Sequence, residues 1–178
     1  MRDQQDHEWL EALFDLHATS VRAYAVRRVG PDSADDVVAE AFAVAWRRRR
    51  DVPEPALPWL LRTARHVILH ERRSLARHLN LRDAVAHSLT DTATPGADQS
   101  SLALAESVLA QLPALDAEIL RLTAWEGLTP AEIAVVLDLR DSAARPRLMR
   151  ARQRAQRLLD EPAAPRLAPV VHTQGEPS

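Results

Sequence analysis

Apolar residues recur every three or four positions along most of this 178-residue chain, which is the period of amphipathic helices and not of strands. In the N-terminal half the pattern predicts helices over residues 8–29, from about 32 to 49, and from Trp59 onwards. Gly30-Pro31 separates the first two helices, with Asp32 or Ser33 as the cap. The proline-rich run 51–58 separates the last two because proline lacks the amide donor. The residues predicted to face inward on the first helix are Leu10, Leu13, Phe14, Val21 and Tyr24.

The C-terminal half shows the same period, and nothing in the chain reads as a strand. Helices are predicted over 102–112, 113–125, 129–137 and 142–159. Thr129 and Glu132 stand three apart around Pro130, which predicts a capping box at the start of the third of these helices. Gly127 is well placed to end the helix before it. The chain is therefore predicted to be all-α.

The last predicted helix has one apolar stripe and one basic face. The stripe consists of Ala144, Leu148, Ala151, Ala155 and Leu158. The opposite face carries Met149, Arg150, Gln153 and Arg157, flanked by Arg145, Arg147, Arg152 and Arg154. A short capped helix followed by a tight polar break and such a helix is typical of a helix-turn-helix that meets DNA in the major groove. The alternative is a solvated basic helix within a bundle.

The segment 88–101, SLTDTATPGADQSS, is small and polar and lacks an apolar period, so it predicts a flexible linker. It divides the chain into two small helical domains, residues 8–87 and 102–161, of which the second contains the helix-turn-helix. Residues 162–178 are rich in proline and alanine, which predicts a disordered tail.

The net charge of −2 hides two basic blocks in an otherwise acidic chain. Residues 47–82 hold ten arginines and three acidic residues, and residues 139–157 hold seven arginines and one aspartate. Such blocks indicate two separate contacts with anionic partners. All 23 basic residues are arginine. Arginine suits bidentate phosphate and guanine contacts, but the abundance of alanine and proline favours a GC-rich genome as the explanation.

Several protein classes are disfavoured by what the sequence lacks. Without cysteine there are no disulfides or thiolate zinc sites, which suits a reducing compartment. The polar N-terminus predicts no signal peptide, and no apolar run approaches the roughly 20 residues of a membrane span, so a cytoplasmic protein without membrane insertion is expected. No phosphate loop or nucleophile elbow predicts an enzyme or a cofactor site. His66 and His70 lie four apart near Glu71, but further ligands at suitable spacing are missing, so no metal is expected.

Two pairs of segments carry a resemblance to a known family. Residues 35–48 and 58–73, DDVVAEAFAVAWRR and PWLLRTARHVILHERR, resemble the second conserved region of bacterial RNA polymerase sigma factors. Residues 112–139 and 144–154, LPALDAEILRLTAWEGLTPAEIAVVLDL and ARPRLMRARQR, resemble their fourth region. A chain with only these two regions resembles the extracytoplasmic-function group of the sigma-70 family. The resemblance covers roughly residues 10–78 and 102–159, in the family's order.

The resemblance implies a sigma factor that binds core RNA polymerase and directs promoter recognition and DNA melting. An anti-sigma protein is a further partner that the resemblance implies. Asp35, Asp36 and Glu40 match the surface that docks on the coiled coil of the polymerase's largest subunit. For Asp35 and Asp36 the alternative is structural, since acids in a first turn favour the helix dipole.

The proline-rich connection and the third helix match the part that melts and captures the −10 element. Unstacking a base costs a few kcal/mol, which arginine contacts and aromatic stacking can offset. Trp59 is one stacking candidate, although an aromatic residue at a helix start is more often a core residue. The residues implied for the −10 element are Trp59, Arg62, Arg65, His66, Arg72 and Arg73.

The last helix matches the recognition helix that contacts the −35 element in that family. Arg145 or Arg150 is suited to pair with guanine, and Arg147 and Arg154 are expected to hold phosphates. The residues implied for the −35 element are Ser142, Arg145, Pro146, Arg147, Met149, Arg150 and Arg154.

Three positions depart from the family's pattern. Pro146 stands inside the last helix, where it is the fourth helical residue if Ser142 is the N-cap. Ala144 replaces a usual valine, and His66 stands where the family favours asparagine. Two alternatives therefore remain open: a helix-turn-helix regulator that acts without polymerase, and a degenerate sigma-like protein-binding module, which Pro146 favours.

Overall fold

The computed structural model of the protein describes residues 2–78 and 99–160, and these ranges contain helices and no strand. The all-α prediction is confirmed. Met1, residues 79–98 and residues 161–178, which include most of the predicted linker and the tail, lie outside the described residues. The helices, in chain order, are α1 (Arg2–Val29), α2 (Pro31–Arg47), α3 (Leu57–His78), α4 (Gln99–Ala110), α5 (Ala114–Ala124), α6 (Pro130–Val136) and α7 (Asp141–Asp160), with a 3-10 turn at Arg49–Asp51.

Several helix bounds differ from those predicted from the pattern. Helix α1 begins at Arg2, and α4 begins at Gln99, inside the segment predicted as linker. Helix α2 starts directly after Gly30, whose φ of +79° turns the chain, and Pro31 occupies the first helical position. Neither Asp32 nor Ser33 caps it, because backbone geometry at the glycine makes the break.

Helices α1, α2 and α3 pack around a core made of the predicted apolar stripes. Val21, Tyr24, Ala41, Leu60 and Leu61 are all fully or almost fully buried. The prediction for Phe14 was wrong: its side chain is 45% exposed, and it reaches back to the ring of Phe42, with 4.9 Å between ring centroids. Helix α3 opens at Leu57, two residues before the predicted start, which places Trp59 within its first turn.

The start signal predicted for α6 and the end signal predicted for α5 are confirmed. Thr129 Oγ1 accepts a hydrogen bond from the amide of Glu132, and Glu132 Oε2 accepts one of 2.7 Å from the amide of Thr129. Gly127 adopts a φ of +66°, and the amide of Leu128 beyond it donates to the carbonyl of Leu122 at 3.1 Å. These signals keep the connection between α5 and α6 short and fix the start of α6, the first helix of the predicted helix-turn-helix.

Helix α7 starts earlier than the pattern predicted. It begins at Asp141, so Ser142 is a helical residue and not the cap, and Pro146 is the sixth residue instead of the fourth. The helix continues through Pro146, whose missing amide leaves the carbonyl of Ser142 without its usual donor, a local cost of about 3 kcal/mol. The break before α7 contains Asp138, which adopts a left-handed φ of +54°. Aspartate tolerates this conformation better than most residues.

The two helical units pack against each other in this structure. Ile119, Leu122, Ile133 and Val136 of the second unit belong to the same buried apolar cluster as the core of the first. The main contact lies between α3 and α6. The sequence predicted separate domains, because amphipathic periodicity shows that a face is apolar but not which other face covers it.

Arg28 of α1 is the centre of an ion-pair network between the units. Its guanidinium lies 2.7 Å from Glu118 and 3.2 Å from Glu126, and Arg27 lies 2.7 Å from Glu126. Arg28 is 5% exposed, and its guanidinium carbon lies 3.5 Å above the Tyr24 ring. Burial disfavours the charged form, but the neighbouring groups, Glu118 first, outweigh it and raise the pKa of Arg28. The network therefore stabilises the charged form of Arg28 although the side chain is buried.

Replacing Tyr24 with phenylalanine is expected to leave the free energy of unfolding at pH 7 unchanged or raise it by up to about 1 kcal/mol. The Tyr24 hydroxyl is buried without a hydrogen-bond partner in the described part of the chain, and a phenyl ring keeps the stacking with Arg28. Urea unfolding of both proteins measures the difference. A loss above 1 kcal/mol in Tyr24→Phe would contradict this account.

The wild-type protein and Tyr24→Phe should also differ in how their stability changes in alkaline solution. Burial raises the pKa of Tyr24 above its usual value of about 10, so the unfolded chain releases this proton first. The contribution of Tyr24 is therefore fully present below pH 10 and declines as the pH rises above it. Between pH 9 and 11 the wild-type protein should lose more stability than Tyr24→Phe.

Candidate nucleic-acid interface

The predicted acidic face of α2 is presented to solvent. Val38, Ala41 and Ala45 on the opposite side are buried, so the face carrying Asp35, Asp36 and Glu40 points outward. Asp35 pairs with Arg22 at 2.7 Å, and Glu40 pairs with Arg47 at 2.7 Å. Such exposed pairs contribute about 0–1 kcal/mol each and exchange readily with a partner's charges. Asp36 makes no ion pair within residues 2–78 or 99–160.

The residues that the sequence analysis assigned to the −10 element do not share one environment on α3. Trp59 is 9% exposed and belongs to the core, so its ring is not available for stacking in this conformation. The buried position is the alternative that the sequence left open for an aromatic residue at a helix start. Tertiary packing decided the point, because the 3.6-residue period of α3 puts Trp59 on the same side as other apolar residues.

Arg62 and His66 are held by a residue of the other unit. Arg62 Nη2 lies 2.5 Å from Asp138 Oδ1, and His66 Nε2 lies 3.0 Å from Asp138 Oδ2. Asp138 stands in the turn between α6 and α7. The carboxylate thus occupies the position that an anionic group would take on these two side chains. Asp138 was not among the predicted site residues, because its contact with α3 spans more than seventy residues of chain.

The remaining basic residues of α3 also differ in surroundings. Arg72 donates from Nη2 to the carbonyl oxygen of Arg28 at 2.6 Å and so ties α3 to the end of α1. Arg65 is half-buried, and Arg73 is exposed. Arg72 is therefore partly structural in this conformation.

The two faces predicted for α7 are confirmed by burial. Ala144, Leu148 and Ala151 are buried against the rest of the second unit. Met149 is 60% exposed. The other −35 candidates that are exposed are Ser142, Arg145, Pro146, Arg150 and Arg154, whereas Arg147 is half-buried. Arg145 and Arg150 make no ion pair in the part of the chain that the structure describes. This face is therefore free to meet a nucleic acid.

Two arginines that were predicted to contact DNA phosphates pair instead with a carboxylate of the protein. Arg147 Nε lies 3.2 Å from Asp116 Oδ1, and Arg154 Nη1 pairs with Asp116 Oδ2. Asp116 is fully buried on α5. In this structure both guanidiniums therefore engage a carboxylate of their own domain. A signal for Asp116 was present in the sequence, since it is an acid three residues before Ile119 on the apolar stripe of its helix.

The described ranges contain neither a candidate metal-binding cluster nor a candidate membrane-spanning helix. Among their side chains no group of three or more histidine, cysteine or acidic residues is placed to hold a metal ion. None of the helices in these ranges is both long and apolar enough to cross a membrane.

Two family models match the chain, and together they span most of the described residues. The model described as Sigma-70 region 2 matches residues 13–78, and the model described as Sigma-70, region 4 matches residues 102–154. The matches fall on α1–α3 and on α4–α7.

Named relatives show the same likeness over about three quarters of the chain. The ECF RNA polymerase sigma factor SigL of Mycobacterium tuberculosis is 34% identical over 146 residues, covering 78% of this chain and 82% of SigL. The RNA polymerase sigma factor CnrH of Cupriavidus metallidurans is 32% identical over 157 residues, covering 78% of this chain and 80% of CnrH.

Two solved structures are similar in fold. CnrH in complex with the cytosolic domain of CnrY matches with a TM-score of 0.58 and 27% identity, covering 86% of this chain and 89% of that one. The sigma factor RpoE, in complex with the anti-sigma factor NepR from Bartonella quintana, matches with a TM-score of 0.64, covering 85% of this chain and 96% of that one. At 21% identity the second likeness concerns the fold alone.

Proposed function

We propose a role for each surface of this chain on the premise that it belongs to the extracytoplasmic-function group of the sigma-70 family. As a member of that family it binds core RNA polymerase and directs promoter-specific transcription initiation. The polymerase carries out the catalysis, and we propose that this chain has no catalytic activity or cofactor of its own. The proposed units are residues 8–87 and 102–161, with α4 assigned from Gln99 to the second unit.

The acidic face of α2 is the proposed docking surface for core polymerase. Its three carboxylates lie on one exposed face, and their only ion-pair partners within the described ranges are the exposed arginines of two weak surface pairs. A basic partner surface can displace such arginines at little cost. This arrangement supports a contact that forms by electrostatic attraction and is fixed by the rigid helix beneath it.

The single observation that best supports promoter reading is the outward face of α7. A capped α6 positions the second helix, and two arginines beside Met149 remain without ion pairs. We assign Arg145, Met149 and Arg150 to base edges of the −35 element, with Ser142 and Pro146 beside them. Pro146 donates no amide hydrogen bond, so its contribution is limited to apolar and steric contact.

For the −10 element we assign the exposed basic side of α3. Arg62, Arg65, His66 and Arg73 are the proposed contacts with the melted strand, supported by the positive charge of this helix and its flank. Trp59 is left out of this assignment because it is buried.

The packed arrangement of the units cannot serve both promoter elements at once. The two elements are named for positions roughly 25 base pairs apart, or about 85 Å of duplex at 3.4 Å per base pair. A compact chain of 178 residues has a radius of gyration of only about 16 Å. We therefore propose that the units separate when the protein engages promoter DNA, which frees Arg62 and His66 from Asp138.

Replacing Asp138 with asparagine is expected to strengthen binding of the isolated protein to a single-stranded −10 oligonucleotide by about two- to fivefold. Asparagine tolerates the left-handed φ of this position. The loss of the exposed ion pair with Arg62, together with a weaker contact to His66, is worth about 0.4–1 kcal/mol. Fluorescence anisotropy with a labelled oligonucleotide measures the change. Asp141→Asn, which removes the same charge three residues away, is the control. An equal gain in both variants would indicate a general charge effect.

The proposed function is tested by run-off transcription with core polymerase on fragmented genomic DNA, with and without this protein. New discrete start sites would support it and would reveal the −10 and −35 sequences. Polymerase binding without new transcripts would favour a degenerate protein-binding module. DNA binding without any polymerase binding would favour a free-standing helix-turn-helix regulator.

Two further assignments rest on the relatives. RpoE and CnrH are described in complexes, the first with an anti-sigma factor, and we propose that this chain likewise has an anti-sigma partner. We also propose that it acts in the cytoplasm, where its polymerase is found. Co-purification of the tagged full-length chain tests both assignments.

A further inference from the structure

Asp116 is the most deeply buried acidic residue in the described ranges. It lies in the first turn of α5 on the same side as Ile119 and Leu122, and its side chain is 1% exposed. A carboxylate in such a place is strongly disfavoured unless opposite charge compensates it. Both of its oxygens are engaged, one by Arg147 Nε at 3.2 Å and the other by Arg154 Nη1.

The spacing of these two arginines determines how the contact constrains α7. They stand seven residues apart on α7, which is two turns or about 10.5 Å along the helix axis. A single carboxylate that engages both fixes the rotation of α7 about its axis. The apolar contacts define that rotation less sharply, because two of the three buried residues, Ala144 and Ala151, are small. Ion pairs to guanidinium are strongly directional.

The contact also divides four of the six arginines of α7 into two sets. Arg147 and Arg154 are both held by Asp116 of α5, although the Arg154 side chain remains about half exposed. Arg145 and Arg150 stay exposed and without an ion pair in the described ranges, next to Met149. Without Asp116, four arginines would compete for the DNA backbone, and only some of them stand where they can also reach base edges.

We propose that Asp116 is a positioning residue for −35 recognition, an inference that rests on the proposed reading of that element by α7. Its carboxylate sets the rotation of the helix so that Arg145, Met149 and Arg150 face the bases. It also keeps Arg147 and Arg154 away from DNA phosphates. Specificity at the −35 element thus depends on a residue that never touches DNA.

The variant Asp116→Asn distinguishes this role from a structural one, because asparagine keeps the shape of aspartate and removes its charge. The two released arginines become available to phosphates. Each added phosphate contact steepens the dependence of log affinity on log salt by about 0.9. The slope is therefore expected to increase by about 1–2, while discrimination between an intact and a scrambled −35 element falls at least tenfold.

The measurement uses holoenzyme assembled from core polymerase and the full chain. The probes are a promoter fragment recovered by run-off transcription and the same fragment with its −35 element scrambled, titrated at several KCl concentrations. Asp141→Asn is the matched control, since Asp141 is an exposed carboxylate of α7 without an ion pair in the described ranges. It should change the slope by less than half as much and retain the discrimination.

A second pair of variants keeps the inference testable if Asp116→Asn does not fold. Arg147→Gln should leave the salt slope unchanged within about 0.3, because its guanidinium does not contact a phosphate. Arg150→Gln should lower the slope by about 1 or reduce the discrimination at least tenfold.

Three results would overturn the inference. The first is an Asp116→Asn holoenzyme that binds both fragments equally more weakly with an unchanged slope, which is a purely structural defect. The second is a slope lowered by about 1 in Arg147→Gln. The third is a wild-type holoenzyme that does not distinguish the intact from the scrambled element, which would also remove the proposed reading by α7. The first two leave that reading in place.

Discussion

Replacing Arg28 with methionine is expected to lower the free energy of unfolding by about 3–5 kcal/mol. Arg28 is 5% exposed and pairs with Glu118 and Glu126, of which Glu126 is almost fully buried. Methionine fills much of the space but supplies no charge. Glu118 then has no cationic partner among the contacts seen here, and Glu126 retains only Arg27. Removal of one member of a buried ion pair leaves an uncompensated charge, which costs more than the pair itself contributes.

Part of this loss should appear as separation of the two units before either unfolds. The broken pairs join α1 of the first unit to α5 and the turn after it in the second. Small-angle scattering without denaturant should therefore show a larger radius of gyration for Arg28→Met than for the wild-type protein. Urea unfolding followed by tryptophan fluorescence measures the total loss.

Two variants make the result specific to the buried network. Arg22→Met breaks an exposed pair with Asp35 and should cost at most about 1 kcal/mol. Combining Arg28→Met with Glu118→Gln removes the stranded charge and should recover part of the stability. If Arg28→Met cost no more than Arg22→Met, the network would not be what holds the units together.

Replacing Asp36 with arginine is expected to weaken binding to core polymerase at least a hundredfold. Asp36 is exposed in the centre of the acidic face of α2, and it forms no ion pair in the described ranges. Charge reversal removes an attraction and adds a repulsion against a basic partner surface. A like-charge contact at an interface costs several kcal/mol, and each 1.4 kcal/mol is a factor of ten in affinity.

The affinity is measured by titrating labelled core polymerase with the full chain at fixed salt. Asp15→Arg is the matched control, because Asp15 is an exposed acid on α1, outside the α2 face, and has no ion pair in those ranges. It should change the affinity less than threefold, and both variants should unfold at wild-type urea concentrations. Equal losses in the two variants would show that net charge matters and that the α2 face does not.

Local signals in the sequence were sufficient for most of the helices. The capping box of Thr129 and Glu132, the breaks at Gly30 and Gly127, and the apolar stripe of α7 were all confirmed, because each depends on residues within one or two turns. The start of α7 was predicted late. Ser142 is a good capping residue by type, but the helix begins at Asp141, after a turn in which Asp138 takes a left-handed conformation.

The surroundings of the candidate site residues were predicted less well than the residues themselves. The outward direction of Met149 and Arg150 follows from helical period alone, and so does that of Asp36. The burial of Trp59 and the partners of Arg62 and Arg147 do not, since they depend on segments distant in the chain. A basic side chain looks the same in the sequence whether it faces solvent or a buried carboxylate.

The sequence by itself determined the helical class, the order of the two regions, the family, and which face of each helix is polar. These properties depend on short-range periodicity, on capping residues and on motifs read in order. Only the tertiary structure decided that the two units share a core, that Arg28 joins them, and that Asp138 and Asp116 occupy arginines predicted to meet nucleic acid. The physical reason is that ion pairs and apolar contacts between distant segments depend on how the helices pack, and an amphipathic pattern leaves that choice open.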